Sequence, residues 1–164
     1  MSLVDLALAY RYMEVLPHLR RFRGPTEEHI ISQAEQALGC VFPLTYRQFV
    51  RDRGWGNFGG AEFYGAPLVI LSGRGVPDVV DMTLQYRREF DLPTDCILVH
   101  SRGISPFSWA VLHGARTPQG ESPVFWWEPT EHVLDPRNIA ASDFGAFFLS
   151  RVIEIIRLVR QFGP

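Results

Sequence analysis

A chain of 164 residues is the size of one domain, and 46% apolar with 13% aromatic residues supplies a core, which excludes a disordered tail. A net charge of −2 argues against a general nucleic-acid binder, and two cysteines are too few for a disulfide framework. All 16 basic side chains other than histidine are arginine, which excludes a Schiff-base lysine, a P-loop lysine and a Ser–Lys dyad.

Residues 1–10 carry no basic residue ahead of their apolar stretch, and Asp5 interrupts it, so they do not read as a signal peptide. No apolar run reaches the ~20 residues of a membrane span. The expectation is a cytoplasmic chain with both thiols reduced. A first helix is predicted over 3–19, from Leu3, Leu6, Tyr10, Met13 and Leu16 at helical spacing, with Pro17 weakening its end. Arg20, Arg21 and Arg23 lead to a break at Gly24-Pro25. Thr26 can cap a second helix, with Glu27 and Glu28 in its first turn, Ile30, Ala34 and Leu38 on one face and Gly39 as its stop. Pro43 opens a third helix that runs to Arg53, with Tyr46, Phe49 and Val50 inward.

The glycine- and aromatic-rich stretch 54–65 reads as a loop leading into a strand over 68–71. A helix over 77–90 is begun by Pro77. Strands follow at 96–100, 107–112 and 123–127, joined by turns at Gly103 with Pro106 and at Gly114 with Pro118-Gln119-Gly120. Short connections make these an antiparallel meander. A last helix from Ser142-Asp143 to Phe162 carries a wide stripe of Phe144, Phe147, Phe148, Val152, Ile155, Ile156 and Val159, wide enough to pack across a sheet. The order predicts an α+β domain, an antiparallel sheet of about five to six strands with helices covering one face. Residues 1–23 are expected to be a helical extension and 24–164 a single domain.

The residues Thr26-Glu27-Glu28-His29-Ile30, Glu35, Leu38-Gly39, Phe42-Pro43, Tyr46 and Phe49 resemble the N-terminal signature of the SUKH superfamily. That is the fold of the yeast Smi-one/Knr-four cell-wall-synthesis regulators and of many bacterial relatives. Pro123-Val124-Phe125-Trp126-Trp127-Glu128 resembles the family's late strand, and Phe144 with Phe147-Phe148-Leu149 its closing helix. Two positions depart from the pattern: Phe42 stands where the family has Leu, and Arg53-Gly54-Trp55-Gly56 where it has Asn-Gly. The resemblance implies a non-catalytic protein-binding domain, chiefly an immunity protein that neutralises a bacterial toxin such as a nuclease. It implies no catalytic residue, and Glu35, Gly39, Pro43, Tyr46 and Phe49 are its structural motif.

Cys40 follows a helix end rather than opening a helix, and Cys96 opens an apolar strand, so both read as structural thiols. Of His18, His29, His100, His113 and His132, only His100 stands at ligand spacing from another His or Cys, four residues after Cys96, and no second such pair accompanies it, so no metal and no cofactor is expected. His100-Ser101 with Asp95 has triad residue types but no nucleophile elbow. Glu35, one turn before Gly39, is expected to fasten its helix to the next loop through Arg47 or Arg51.

Partner contacts are expected from Trp55, Phe58 and Tyr64 in the aromatic loop, whose other reading is a cap on the core. Glu62, Asp78 and Asp81 join them from the segment 61–135, which holds 5 Arg and 10 acids, a net of −5 suited to a basic partner. Trp126 and Trp127 are adjacent on a strand and face opposite ways, so the second sheet face is either covered or a binding surface. The partner is expected to be a protein, a cognate toxin first, with no nucleic acid and no membrane. A regulatory interaction module, and less so a small hydrolase using a His and a carboxylate, are the other readings.

Overall fold

The computed structural model describes residues 2–66, 78–101, 109–112, 116–129 and 134–163. The strand expected at 68–71 and the turn at Gly103 and Pro106 lie outside these.

The first helix, α1 (Ser2–Met13), is shorter than the spacing predicts. Leu16 precedes a proline and lies outside the helical region at φ −131°, ψ 66°, and the chain then makes one 3-10 turn at Pro17–Leu19. It then forms a strand, β1 (Arg20–Phe22), where an arginine-rich connection was expected. Helix α2 (Glu28–Leu38) ends at Gly39 in the left-handed region, φ 70°, where a side chain is disfavoured. Its N-cap position is Glu27 rather than Thr26. The Thr26 hydroxyl instead donates to the Ala66 carbonyl at 3.4 Å. Helix α3 (Leu44–Arg53) follows Pro43 and stops at Gly54.

The stretch read as a loop is a hairpin, β2 (Gly56–Phe58) and β3 (Ala61–Phe63), turned by Gly59-Gly60 with φ 57° and 86°. Helix α4 (Val79–Phe90) is capped by Asp78, whose carboxylate accepts from the Val80 and Asp81 amides at 2.8 and 3.3 Å; Pro77, expected to begin it, lies outside the described residues. Strands β4 (Ile97–Ser101), β5 (Trp109–Leu112) and β6 (Val124–Trp127) stand where expected. A further strand, β7 (Ile139–Ala141), precedes α5 (Phe144–Phe162), which Asp143 caps through the Ala146 amide at 2.9 Å.

Among the described residues the sheet has seven strands in chain order, each antiparallel to its neighbours. Residues opposite one another share a face. One row runs Phe22, Gly56, Phe63, His100, Ala110, Trp126. Its rings meet α3 and α5: Phe63 lies 6.1 Å from Phe49 and 4.7 Å from Phe148, and Trp126 lies 5.7 Å from Phe147. The next row runs Arg21, Asn57, Glu62, Ser101 and on through Trp109 to Trp127. It is polar and open at its first end, where Arg21 and Glu62 are exposed. At its far end Trp127 is buried against Tyr86 of α4. The two tryptophans therefore do face opposite ways, and each meets a helix. Covering helices lie on both faces, not one.

Helix α1 is part of the same core. Leu6, Ala9 and Met13 are buried, Tyr10 packs edge-on to Phe148 at 6.1 Å, and α1 packs along α5. Gly145 permits this approach, since a Cβ there would collide with the Ser2 carbonyl. The Arg53 guanidinium sits 4.3 Å over the Tyr10 ring, a cation–π contact that ties α1 to α3.

Candidate functional site

The motif residues form a structural joint. Glu35 Oε1 accepts from the Phe42 amide at 2.8 Å and from Arg47 Nε at 2.9 Å, which fastens α2 to the start of α3. Arg47 also reaches Glu28, and Arg51 donates to Glu28 at 2.9 Å. The two guanidiniums hold the Glu28 carboxyl down to about 2. The Tyr46 hydroxyl donates to the Tyr64 carbonyl at 2.9 Å, and Phe49 is buried among Tyr46, Phe63, Phe144 and Phe148. Gly39 and Pro43 flank the joint at the stop of α2 and the start of α3.

The expected contact residues divide. Trp55 is half-buried, Glu62 exposed and Asp81 half-exposed. Phe58 and Tyr64 are core residues at 0% and 3% exposure, and Asp78 is buried as the cap of α4. These three are corrections. Strand alternation turns Phe58 inward, and a carboxylate that accepts two helix amides is committed to them. Trp55 packs beside Gly65, and Gly65 bridges to Asp78 and accepts from the Val79 amide at 3.0 Å. Trp55 is thereby brought to the start of α4, which carries Asp81. Glu62 lies three residues before Gly65, on the polar sheet row with Asn57.

The thiols have different settings. Cys96 is fully buried, and burial, with Asp95 adding to it, pushes its thiol up to about 12. Cys40 is half-buried; burial raises its thiol too, while the Arg87 and Arg116 guanidiniums pull the other way. Cys40, Arg87, Arg116, Asp95 and Ser122 line one cleft of about 630 Å³ between the end of α2, the last turn of α4 and the segment leading to β6. Sequence reasoning missed this cleft, because its residues come from separate parts of the chain.

Among the described residues no group of three His, Cys, Asp or Glu could hold a metal ion. No described helix is long and apolar enough to cross a membrane. The SUKH_6 family model, described as SMI1-KNR4 cell-wall, matches residues 28–148, from the first residue of α2 into α5. No curated protein matches the chain.

Proposed function

The chain belongs to the SMI1-KNR4 cell-wall (SUKH) family, and from that premise we propose that it is a non-catalytic protein-binding domain that neutralises a bacterial toxin in the cytoplasm. The observation that carries the reading is the family match over α2 to α5, which spans the joint around Glu35 and most of the sheet. Immunity proteins are frequent in the superfamily this chain resembles. Neither thiol is poised for nucleophilic work, since burial raises both. The described cleft has no histidine in its lining, so it does not pair a His with a carboxylate as the hydrolase reading requires.

The contact surface in this proposal is the open sheet row around Glu62, with Trp55 and Asp81 beside it. The acidic balance of 61–135 suits a basic toxin, with a nuclease as the first candidate, and opposite charge raises the association rate. The test is co-expression with the product of the neighbouring gene, scored by growth and by co-purification. Growth rescue with a stable complex is the expected result. A toxin that still kills and does not co-purify would overturn the proposal. The family description, cell-wall, favours a second reading, a regulatory interaction module. It would be recognised by a stable protein partner that is not toxic.

A further inference from the structure

The cleft beside Cys40 has a chemistry that protein binding through the open sheet does not use. Arg87 is fixed by three backbone carbonyls, those of Leu38 at 3.0 Å, Thr94 at 2.6 Å and Cys96 at 3.2 Å. Carbonyls orient a guanidinium without neutralising it, and Arg87 has no carboxylate partner among the described residues, nor a partner for its buried Nε. Arg116 is exposed at the cleft and has no ion pair among the described residues. Asp95 is the acid in the lining, and its Oδ1 already meets the Cys96 thiol at 3.7 Å. Two cations against one carboxylate leave the cleft positive within a chain of net charge −2.

A second observation points to a ligand. Ser122 is 0% exposed and lines the cleft, and its hydroxyl has no hydrogen-bond partner among the described residues. A buried hydroxyl normally has a hydrogen-bond partner. The remaining wall is apolar, with Leu38, Val41 and Ile97. A volume of about 630 Å³ falls in the range of small-molecule sites, and a guanidinium fork suits carboxylate and phosphate oxygens.

We propose that this cleft binds a small organic anion. Its carboxylate or phosphate group meets Arg116 and the Ser122 hydroxyl in the field of the fixed Arg87, and its apolar body lies on Leu38, Val41 and Ile97. The site is independent of the toxin reading and stands if that reading fails.

Cys40 is a built-in reporter, because an occupant covers it while Cys96 is buried elsewhere. Alkylation of Cys40 by neutral iodoacetamide, followed by peptide mass spectrometry, is compared with chloride, phenyl phosphate and benzoate at matched ionic strength. At about 10 mM, phenyl phosphate, benzoate or both are expected to slow Cys40 alkylation at least about fivefold, and which of them does so identifies the anion class. Arg116→Gln, at an exposed position, should raise the protecting concentration at least about fivefold, and Ser122→Ala about threefold. Unchanged Cys40 rates with both anions would overturn the site. So would protection that is equal in Arg116→Gln, which reads the cleft even if Ser122→Ala does not fold.

Discussion

Strands β1 to β3 present two faces made by the same few residues. On one, Phe22 and Phe63 enter the ring cluster of α3 and α5 and Phe58 is buried in the core; on the other, Arg21, Asn57 and Glu62 stay polar. Composition is mixed along the segment, and parity alone sorts it. A ring or carboxylate in this hairpin is a core or a surface group according to its register, whatever its suitability for a partner.

The sharpest way to break that comparison is truncation on the buried face. Phe63→Ala is expected to lose about 3–5 kcal/mol of stability in urea unfolding, because it leaves a cavity among Phe49, Phe148 and His100. A loss below about 1 kcal/mol would show that the face is not packed as described. Next comes the joint that holds α2 against α3. Glu35→Ala strips the Phe42 amide and Arg47 of their acceptor and is expected to cost about 1–3 kcal/mol, with Glu35→Gln recovering part of it.

Acidity gives a third test, with opposite signs inside and outside. Burial raises the carboxyls of Glu121 and Asp78, so each binds its proton more tightly folded than unfolded. Their contribution is fully present below the unfolded value and is lost as pH rises through the raised folded value. Glu28 is the reverse: Arg47 and Arg51 hold it at about 2, so its contribution is lost as pH falls from ordinary carboxylate values towards that figure. Unfolding followed across pH should show Glu121→Gln reducing the loss on the rising side, with the share of Asp78 left in place, and Glu28→Gln flattening the acid limb. No change in either slope would contradict the assignment.

The smallest effects on stability belong to the open face. Glu62→Arg, Asp81→Arg and Trp55→Ala are each expected to stay within about 0.5–1 kcal/mol of the parent. Their effect should appear in toxin association instead, with slower, less salt-sensitive on-rates for the charge reversals and faster dissociation for Trp55→Ala. Parent-like kinetics in all three would move the interface elsewhere.

The elements with local signals were legible in the sequence. Gly39 stops α2, Pro43 opens α3, Asp143 caps α5, and the phenylalanine stripe of α5 lies on the sheet as its spacing implied. Strands β1 and β7 were not legible, because three residues are too few for alternation to register and an arginine pair or two alanines carry no strand signal. For Phe58 and Tyr64 the neighbouring glycines leave partner contact and a cap on the core equally open in the sequence; the structure buries both, and Gly59-Gly60 only turn a hairpin. The cleft was beyond reach for another reason. Cys40, Arg87, Arg116 and Ser122 are brought together by α4 packing beside β4 where β3 has ended, with the Thr83 hydroxyl accepting from the Leu98 amide at 3.0 Å. No periodicity encodes that meeting.

The strict chain order of the sheet also bears on how the molecule is made. Every strand pairs with the strand next in chain order, so the sheet can grow strand by strand as the chain leaves the ribosome, with α2 and α3 inserted at the β1–β2 step and α4 at the β3–β4 step. The first helix has no such neighbour. It packs chiefly along α5, about 130 residues later in the chain, so Leu6, Ala9 and Met13 are covered fully only once α5 has formed. A nascent chain stalled before Asp143 would hold a growing sheet and an α1 without the helix it packs along, and the docking of α5 is the step that shuts the domain.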